Sequence, residues 1–504
     1  MVGKVYSATL LGLEGQIIQI EADTSKTFRS FEIVGLAGKA VQESKHRVAS
    51  AIRNSGFWFP GRQITVSLAP ADIPKSGPLF DLPIALGIML ATGDLELDTK
   101  KRLFLGELSL EGDLRPIPGV LPLTDSAKKH GFKEIFLPIE NVEEARIIKG
   151  IKIYGLEKIT DLYSIERLKK KSLSQERIKI KSVSRETDLD ISEVKGQAVA
   201  KRALEIAAAG GHNLLMSGSP GSGKSMLAKR LPGILPDMTT EEKLEVTKVY
   251  SAANLLSKGS SLIDQRPVRS PHHTISQIAL VGGGSSPKPG EISLSHRGVL
   301  FLDEFTEFTN QSLEVLRQPL EDRVVSIARA SGSVTYPSNF MLVAAMNPCK
   351  CGWLGDPDRE CTCTPRDIDR YSKKISGPVM DRIDLQVNVR KVDFDSLTST
   401  RREESSESVK GRVQVARDIQ LERFKDSEVK SNSEMSQKQI GEYIKIDKSS
   451  YSLLENAVEK MNLSARSYFR ILKVARTIGD LAQEAKVSKA HIAEALGYRL
   501  AIGR

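Results

Sequence analysis

The chain is 504 residues long, 40% hydrophobic and 27% charged, and its Lys and Arg exceed Asp and Glu by ten. One compact core stops growing beyond roughly 250 to 300 residues, so several domains are expected, and the near-average composition excludes wholesale disorder and fibrous repeats. No run approaches about 18 uninterrupted apolar residues, and the opening MVGKVYSATLLGLEGQ has no basic region followed by an apolar run and a cleavage site. No membrane partner is expected, and the protein is expected to stay in the cytoplasm. The excess positive charge suits a polyanionic partner and equally an ordinary solvated surface.

Residues 1–165 mix β-like runs (16–20, 63–68) with helical ones (40–54, 83–90) punctuated by Gly and Pro, which predicts an α+β domain. Residues 166–190 are polar and rich in Lys, Arg and Ser, too poor in apolar side chains to anchor a core, and read as a basic linker. Across 191–395, apolar β-like runs at 213–216, 299–302 and 340–344 alternate with helical and loop segments. That alternation predicts a mainly parallel sheet covered on both faces. Residues 396–504 open on a polar stretch and then carry helical periodicity, as at Leu453, Leu454, Ala457, Val458 and Met461, so a helical lid domain is expected.

The strongest signal is Gly218-Ser219-Pro220-Gly221-Ser222-Gly223-Lys224-Ser225, which fits G-x-x-x-x-G-K-[ST] between an apolar run and a helical stretch beginning at Met226. Such glycines let backbone N–H groups turn inward around phosphates. Lys224 would place a point charge on the β and γ phosphates of ATP, and Ser225 would offer its hydroxyl to Mg²⁺. About eighty residues later, the apolar run at 298–302 ends in Asp303 and Glu304, one carboxylate for the Mg²⁺ shell and one to polarise the attacking water. The run at 340–346 ends at Asn347, whose amide could orient water between the γ phosphate and Glu304. Arg382 stands between Asp381 and Asp384 and reads either as half of a structural ion pair or as an arginine finger on a neighbouring subunit, which requires a ring.

All four cysteines fall between 349 and 363, as C-x-C, nine residues, C-x-C. Cys349, Cys351, Cys361 and Cys363 could surround a tetrahedral Zn²⁺ with a structural role, bracing the loop after Asn347; reactive or incidental cysteines are the alternative. The seven histidines form no cluster that marks a porphyrin-metal site, and His272 and His273 read as shaping the segment before Asp303.

The blocks GHNLLMSGSPGSGKS, PHHTIS, GEISLSHRGVLFLDE, FMLVAAMNPCKCG and SGPVMDRID together resemble the magnesium-chelatase-like AAA+ family, in its YifB/ComM branch. The resemblance implies an α/β fold class: a P-loop NTPase AAA+ core with an N-terminal α+β Lon-protease-like domain and a C-terminal helical lid. It implies a homo-hexamer, an arginine finger at Arg382, and a sensor-2 arginine at Arg466 within Leu463-Ser464-Ala465-Arg466, with Arg470 and Arg476 as alternatives. The family places a hairpin-bearing insertion before Asp303, and the glycines and prolines of 271–298 suit a turn between two β-like runs there. Residues 324–334 look like the pre-sensor hairpin of related helicases, with Arg329 near the tip. Arg329 and Lys288 are therefore candidates to contact a DNA backbone without reading its sequence.

Asp72-Ile73-Pro74-Lys75-Ser76-Gly77-Pro78 and the later GELSLEGDLRPIPGV are similar to the Lon protease domain. Leu79, however, stands where Lon proteases have their nucleophilic serine, and the place of the base lysine falls near Leu121. A proteolytically dead domain that serves assembly or substrate docking is expected. For the whole chain the resemblance implies an ATP-driven DNA motor, a branch-migration helicase of recombination and natural transformation. The alternative is a magnesium-chelatase-like or chaperone-type ATPase that remodels a protein partner.

Overall fold

The structure, a computed structural model, describes residues 2–25, 29–165, 189–256, 262–284, 287–329, 332–393, 403–461 and 463–499. The linker read at 166–190 lies, up to residue 188, outside the described residues. Before it, strands β1 (Gly3–Leu11), β2 (Glu14–Ser25), β3 (Phe31–Val34), β4 (Gln63–Ala69) and β5 (Arg102–Phe104) join β8 (Glu134–Pro138) and β9 (Lys152–Leu156) in one mixed sheet, ordered β3-β4-β2-β1-β5-β8-β9. The pair β6 (Glu107–Leu108) and β7 (Leu114–Arg115) forms a separate ribbon. In β4 every second residue is buried (Ile64, Val66, Leu68), the period of a strand with one covered face. The helix Asp81–Thr92 packs on β1 and β2 and buries nearly every side chain it carries. It approaches so closely that a Cβ on Gly3 would stand 2.1 Å from the Gly87 carbonyl oxygen. Leu79 and Leu121, the positions where a peptidase nucleophile and base were sought, are 7% and 0% exposed members of this core.

The second sheet contains β10 (Leu214–Ser217), β11 (Val268–Arg269), β14 (Val299–Leu302), β17 (Met341–Met346) and β18 (Leu385–Asn388), all parallel, in the order β11-β14-β17-β10-β18. Every residue of β10, β14 and β17 is buried, as expected of strands covered on both faces. One face is covered by the helix Ala198–Gly210 and, beyond it, by the helices Ser406–Arg423 and Ala465–Leu481; all share a single apolar cluster with the sheet. The other face carries Leu280, Ile292, Phe305, Leu313 and Ile383. Past Asn388 the described residues form helices and no strand, and Ser405, Ser436 and Ser464 each cap one by accepting a backbone N–H three residues on. No helix among the described residues is long and apolar enough to cross a membrane.

Two hairpins stand off this sheet. The insertion forms only two pairs, between β12 (Gly282–Gly283) and β13 (Lys288–Pro289), where two β-like runs were expected. The flanking residues fold as short helices, Gln277–Val281 and Glu291–Leu294, because Ser276 caps the first and Glu291 opens the second with an acid in its first turn. The second hairpin pairs β15 (Val324–Arg329) with β16 (Gly332–Pro337) in full register, Arg329 opposite Gly332. The backbone thus places Arg329 beside the tip; its side chain, like residues 330 and 331, lies outside the described residues.

The helix Thr240–Ala252 joins the two halves of the molecule. A reciprocal cap between Thr239 and Glu242 starts it. Leu244 packs on the N-terminal core, Lys248 reaches Asp125 at 2.7 Å, and Ser251 donates its hydroxyl to Glu144. On its other side Glu242 meets Arg266 at 2.9 Å and Glu245 meets Arg297 at 2.8 Å.

Candidate functional site

In a parallel sheet the loops leaving the C-terminal ends of the strands converge, and ligands bind in the crevice they form. Here β10 runs directly into the glycine-rich loop, β14 into Asp303 and Glu304, and β17 into Asn347. Gly221 and Gly223 turn the loop at φ +77° and +93°, a region glycine enters without strain, and Gly218 passes so close to Val389 that a Cβ would meet its carbonyl oxygen at 2.2 Å. Within this arch the Lys224 ammonium donates to the carbonyls of Gly218 and Ser219 at 2.7 and 2.9 Å and to Asn347 Oδ1 at 3.3 Å. Burial holds Lys224 below the usual lysine pKa, partly offset by the charge of Asp303. Ser225 donates to Asp303 Oδ2 at 2.6 Å. A buried lysine inside a glycine-turned loop, beside a hydroxyl and carboxylate in contact, is a set of groups that fits a Mg²⁺-bound polyphosphate. The cavity, ≈ 200 Å³, is lined by Lys224, Asp303, Glu304, Met346, Asn347 and three side chains that sequence alone did not single out, Glu307, Thr306 and Tyr371, the hydroxyls of the last two meeting at 2.6 Å. Met226, counted among the loop residues, is 47% exposed on the following helix.

Glu304 adopts a left-handed backbone conformation, φ 51° and ψ 47°, which is uncommon for any residue but glycine and recurs at functional sites. Its carboxylate lies 3.0 Å from His273 Nδ1, and His273 in turn packs against His272, the rings tilted by 34° with centroids 4.1 Å apart. The histidines read as merely shaping the inserted segment therefore include one that holds Glu304.

The predicted arginines lie elsewhere. Asn213, at the head of β10, donates its Nδ2 to the Arg382 carbonyl at 2.9 Å, so Arg382 sits at the N-terminal edge of the sheet, across the length of the strands from the glycine-rich loop. Arg382 is 6% exposed, pairs with Glu321, and donates to the Pro378 carbonyl at 2.6 Å. Burial, then the charges of Arg466, Arg317 and Arg470, hold it below the usual arginine pKa. Arg466 reaches the same Glu321 at 3.1 Å and is 55% exposed. Of the alternatives, Arg470 pairs with Asp384 at 2.8 Å, and Arg476 is 1% exposed and bound to Asp480 at 3.0 Å. Arg323, Arg382, Arg466, Arg470 and Lys473 line a second cavity of ≈ 250 Å³ with Glu321 and Asp384, an excess of cations able to receive an anion.

Beside the first cavity the four cysteine sulfurs lie within 4.8 Å of one another. The hairpins are tied together, since Tyr336 of β16 donates to the Pro287 carbonyl at 2.8 Å, and Lys288 is exposed next to that contact.

Comparison with known proteins matches residues 190–397 to the family described as magnesium chelatase, subunit ChlI, residues 20–141 to subunit ChlI of Mg-chelatase, and residues 403–499 to the C-terminal part of that subunit. The chain is 43% identical to competence protein ComM of Haemophilus influenzae, over 98% of this chain and 97% of that protein. It belongs to the magnesium-chelatase-like AAA+ family, in the ComM/YifB branch. YifB of Escherichia coli, 40% identical over 98% of this chain and 96% of its own length, is a further member. A Lon protease of Treponema pallidum shares 28% identity over 182 residues, 32% of this chain and 20% of that protein. In this ComM/YifB relative, His273, Thr306 and Tyr371 join the crevice from segments whose spacing to the P-loop carries no fixed signature; only folding brings them in.

Proposed function

We propose that this chain hydrolyses ATP in a ring of its own copies and uses the cycle to move DNA, as a branch-migration helicase of recombination and natural transformation. The observation that carries the ring is the separation of the two cavities. Gly218 to Ser225, Asp303, Glu304 and Asn347 supply a phosphate cradle, a metal shell and a water-orienting pair, but among the described residues no arginine lines that cavity. The arginines face the other edge of the sheet, so a head-to-tail neighbour is what unites them with the phosphates. A Mg²⁺–ATP bound at the loop supplies the transferable γ phosphate and the counter-charge. Lys224 would exchange its carbonyl partners for the phosphates, Ser225 and Asp303 would hold the Mg²⁺ shell, and Glu304 with Asn347 would orient the water. Arg382 would exchange Glu321 for the phosphate charge bound by the adjacent copy, and Arg466, which shares Glu321, would do so from the lid. The ring is read as a hexamer from the family resemblance.

DNA as the moved substrate is supported by the net charge of +10, by the exposed Lys288 on a hairpin tied to the one bearing Arg329, and by the name competence protein carried by the relative. The N-terminal domain, with Leu79 and Leu121 in its core, offers no peptidase nucleophile or base at those places and serves docking or assembly. The test is ATP turnover by the purified chain with and without branched DNA, alongside strand exchange of that DNA, with Glu304→Gln as the inactive control. Stimulation of turnover and branch movement by the wild type alone supports the motor. Turnover indifferent to DNA, with no DNA bound at low salt, replaces it with remodelling of a protein partner.

A further inference from the structure

The cysteine cluster is used by neither hydrolysis nor DNA movement as derived above. We propose that Cys349, Cys351, Cys361 and Cys363 bind one Zn²⁺, and that the loop closed by this metal sets the nucleotide affinity of the P-loop it leans on.

The geometry is that of a preformed tetrathiolate. Sγ of Cys349 lies 3.4 Å from Cys351 and 3.6 Å from Cys361, and Cys351 lies 3.6 Å from Cys361. Those separations are far above the about 2.05 Å of a disulfide. They are close to the about 3.8 Å edge of a tetrahedron whose Zn–S bonds are about 2.3 Å. The loop buries little apolar surface, because among residues 350–363 only Gly352 is buried, and its other ties are polar: a turn in which Asp356 accepts from the N–H groups of Asp358 and Arg359, and the cations of Arg359 and Lys391 over the Trp353 ring. A segment with so little apolar burial takes its order from ligation, in the manner of structural zinc sites. Its two ends are firmly placed: Cys349 leaves β17 just after Asn347, and Cys363 precedes Thr364, which caps the helix Pro365–Ser372 that delivers Tyr371 to the cavity.

Contact with the P-loop is direct. Gly352, at φ +86°, lies so close to Pro220 that a Cβ would stand 2.7 Å from Pro220 Cδ. The Asp356 side chain is 1% exposed, with Lys391 at 3.6 Å. The Ser219 hydroxyl that it faces is the leading cause holding its carboxyl below the usual range. Ser219 supplies a carbonyl that accepts from Lys224, and Pro220 follows it in the same loop. Closing the thiolate loop therefore fixes the P-loop from outside, and opening it releases Gly352 and Asp356 together.

The second half of the proposal rests on reading Gly218 to Ser225 as the nucleotide loop; the first half does not. The test uses the full chain purified from zinc-supplemented medium, with metal content, the absorption spectrum after Co²⁺ exchange, and binding of a fluorescent ATP analogue as readouts. One metal per chain and the visible bands of tetrahedral Co²⁺-thiolate are expected. Cys361→Ser should lose the metal and weaken analogue binding about tenfold, and Gly352→Ala should keep the metal yet weaken binding by a similar factor. A wild type with no metal and no Co²⁺ spectrum overturns the site, independent of whether the variants fold. Unchanged analogue affinity in a folded, metal-free Cys361→Ser overturns the coupling. A metal-loaded wild type that binds no nucleotide overturns the coupling together with the nucleotide reading, while the Co²⁺ spectrum still decides the site.

Discussion

The two edges of the parallel sheet are built from opposite chemistry. At the C-terminal edge the strands release one buried lysine, two carboxylates, an amide and a loop of glycines. At the N-terminal edge, Arg323, Arg382, Arg466, Arg470 and Lys473 crowd around Glu321 and Asp384. On the function proposed above each edge supplies half of a phosphoryl-transfer site, and the length of β10 keeps the two cavities of one chain apart. The difference teaches that a catalytic inventory read along one chain does not tell which groups meet, since the meeting partner can belong to a copy.

Arg382→Ala tests this division most severely. ATP hydrolysis should fall by about 10³-fold or more while nucleotide binding persists. Mixing it with the equally inactive Lys224→Ala should restore part of the activity, because some interfaces then pair an intact P-loop with an intact arginine. No recovery in such mixtures, with ring assembly intact, would place both groups in one chain's site and break the comparison.

Arg470→Ala sharpens it from the stability side. Asp384 is 7% exposed; burial pushes its carboxyl up, but the charge of Arg470, then His212 and the Asn213 N–H, pull it well below the ordinary value. Removing that partner should cost about 3–5 kcal/mol in denaturant unfolding, the penalty of a stranded buried charge. The sign with pH follows: a depressed carboxyl stabilises the fold above its unfolded value and loses that contribution as pH falls below about 4. The wild type should thus lose stability in that acid range, whereas Arg470→Ala should gain relative to its own neutral value, as the carboxylate takes up a proton.

A smaller effect is expected at the opposite edge from His273→Ala. With the 3.0 Å contact to Glu304 gone, kcat should drop about tenfold with KM nearly unchanged, as expected of a group that positions another. The smallest is Lys288→Ala, which should weaken DNA binding uniformly across sequences and lower the slope of log K against log salt by about one.

How much of this was legible in the sequence divides along the same line. The P-loop and the acids after β14 could be read because each needs contiguous residues: a turn that must be glycine, a lysine and hydroxyl that must follow it, an apolar strand that must end in carboxylates. The cysteine spacing was legible for the same reason, but its contact with Pro220 was not, since it joins segments more than a hundred residues apart. Nor could the sequence show Glu321 between Arg382 and Arg466, or His273 upon Glu304, as no local period encodes such pairs. The insertion misled in another way. Its β-like runs are too short to pair once Ser276 and Glu291 start helices, so strand propensity yielded to capping.

The helix Thr240–Ala252 bears on where this protein can be cut. Composition suggests severing the chain within 166–190 to isolate the ATPase. A fragment starting there would carry a helix stripped along one side, with Leu244 deprived of apolar neighbours, Lys248 of Asp125 and Ser251 of Glu144. The complementary fragment would be left with Glu144 uncovered, a carboxyl that burial already holds above its ordinary pKa. Neither piece is a faithful excerpt of the whole, and a separable ATPase would need that flank redesigned with polar residues before expression.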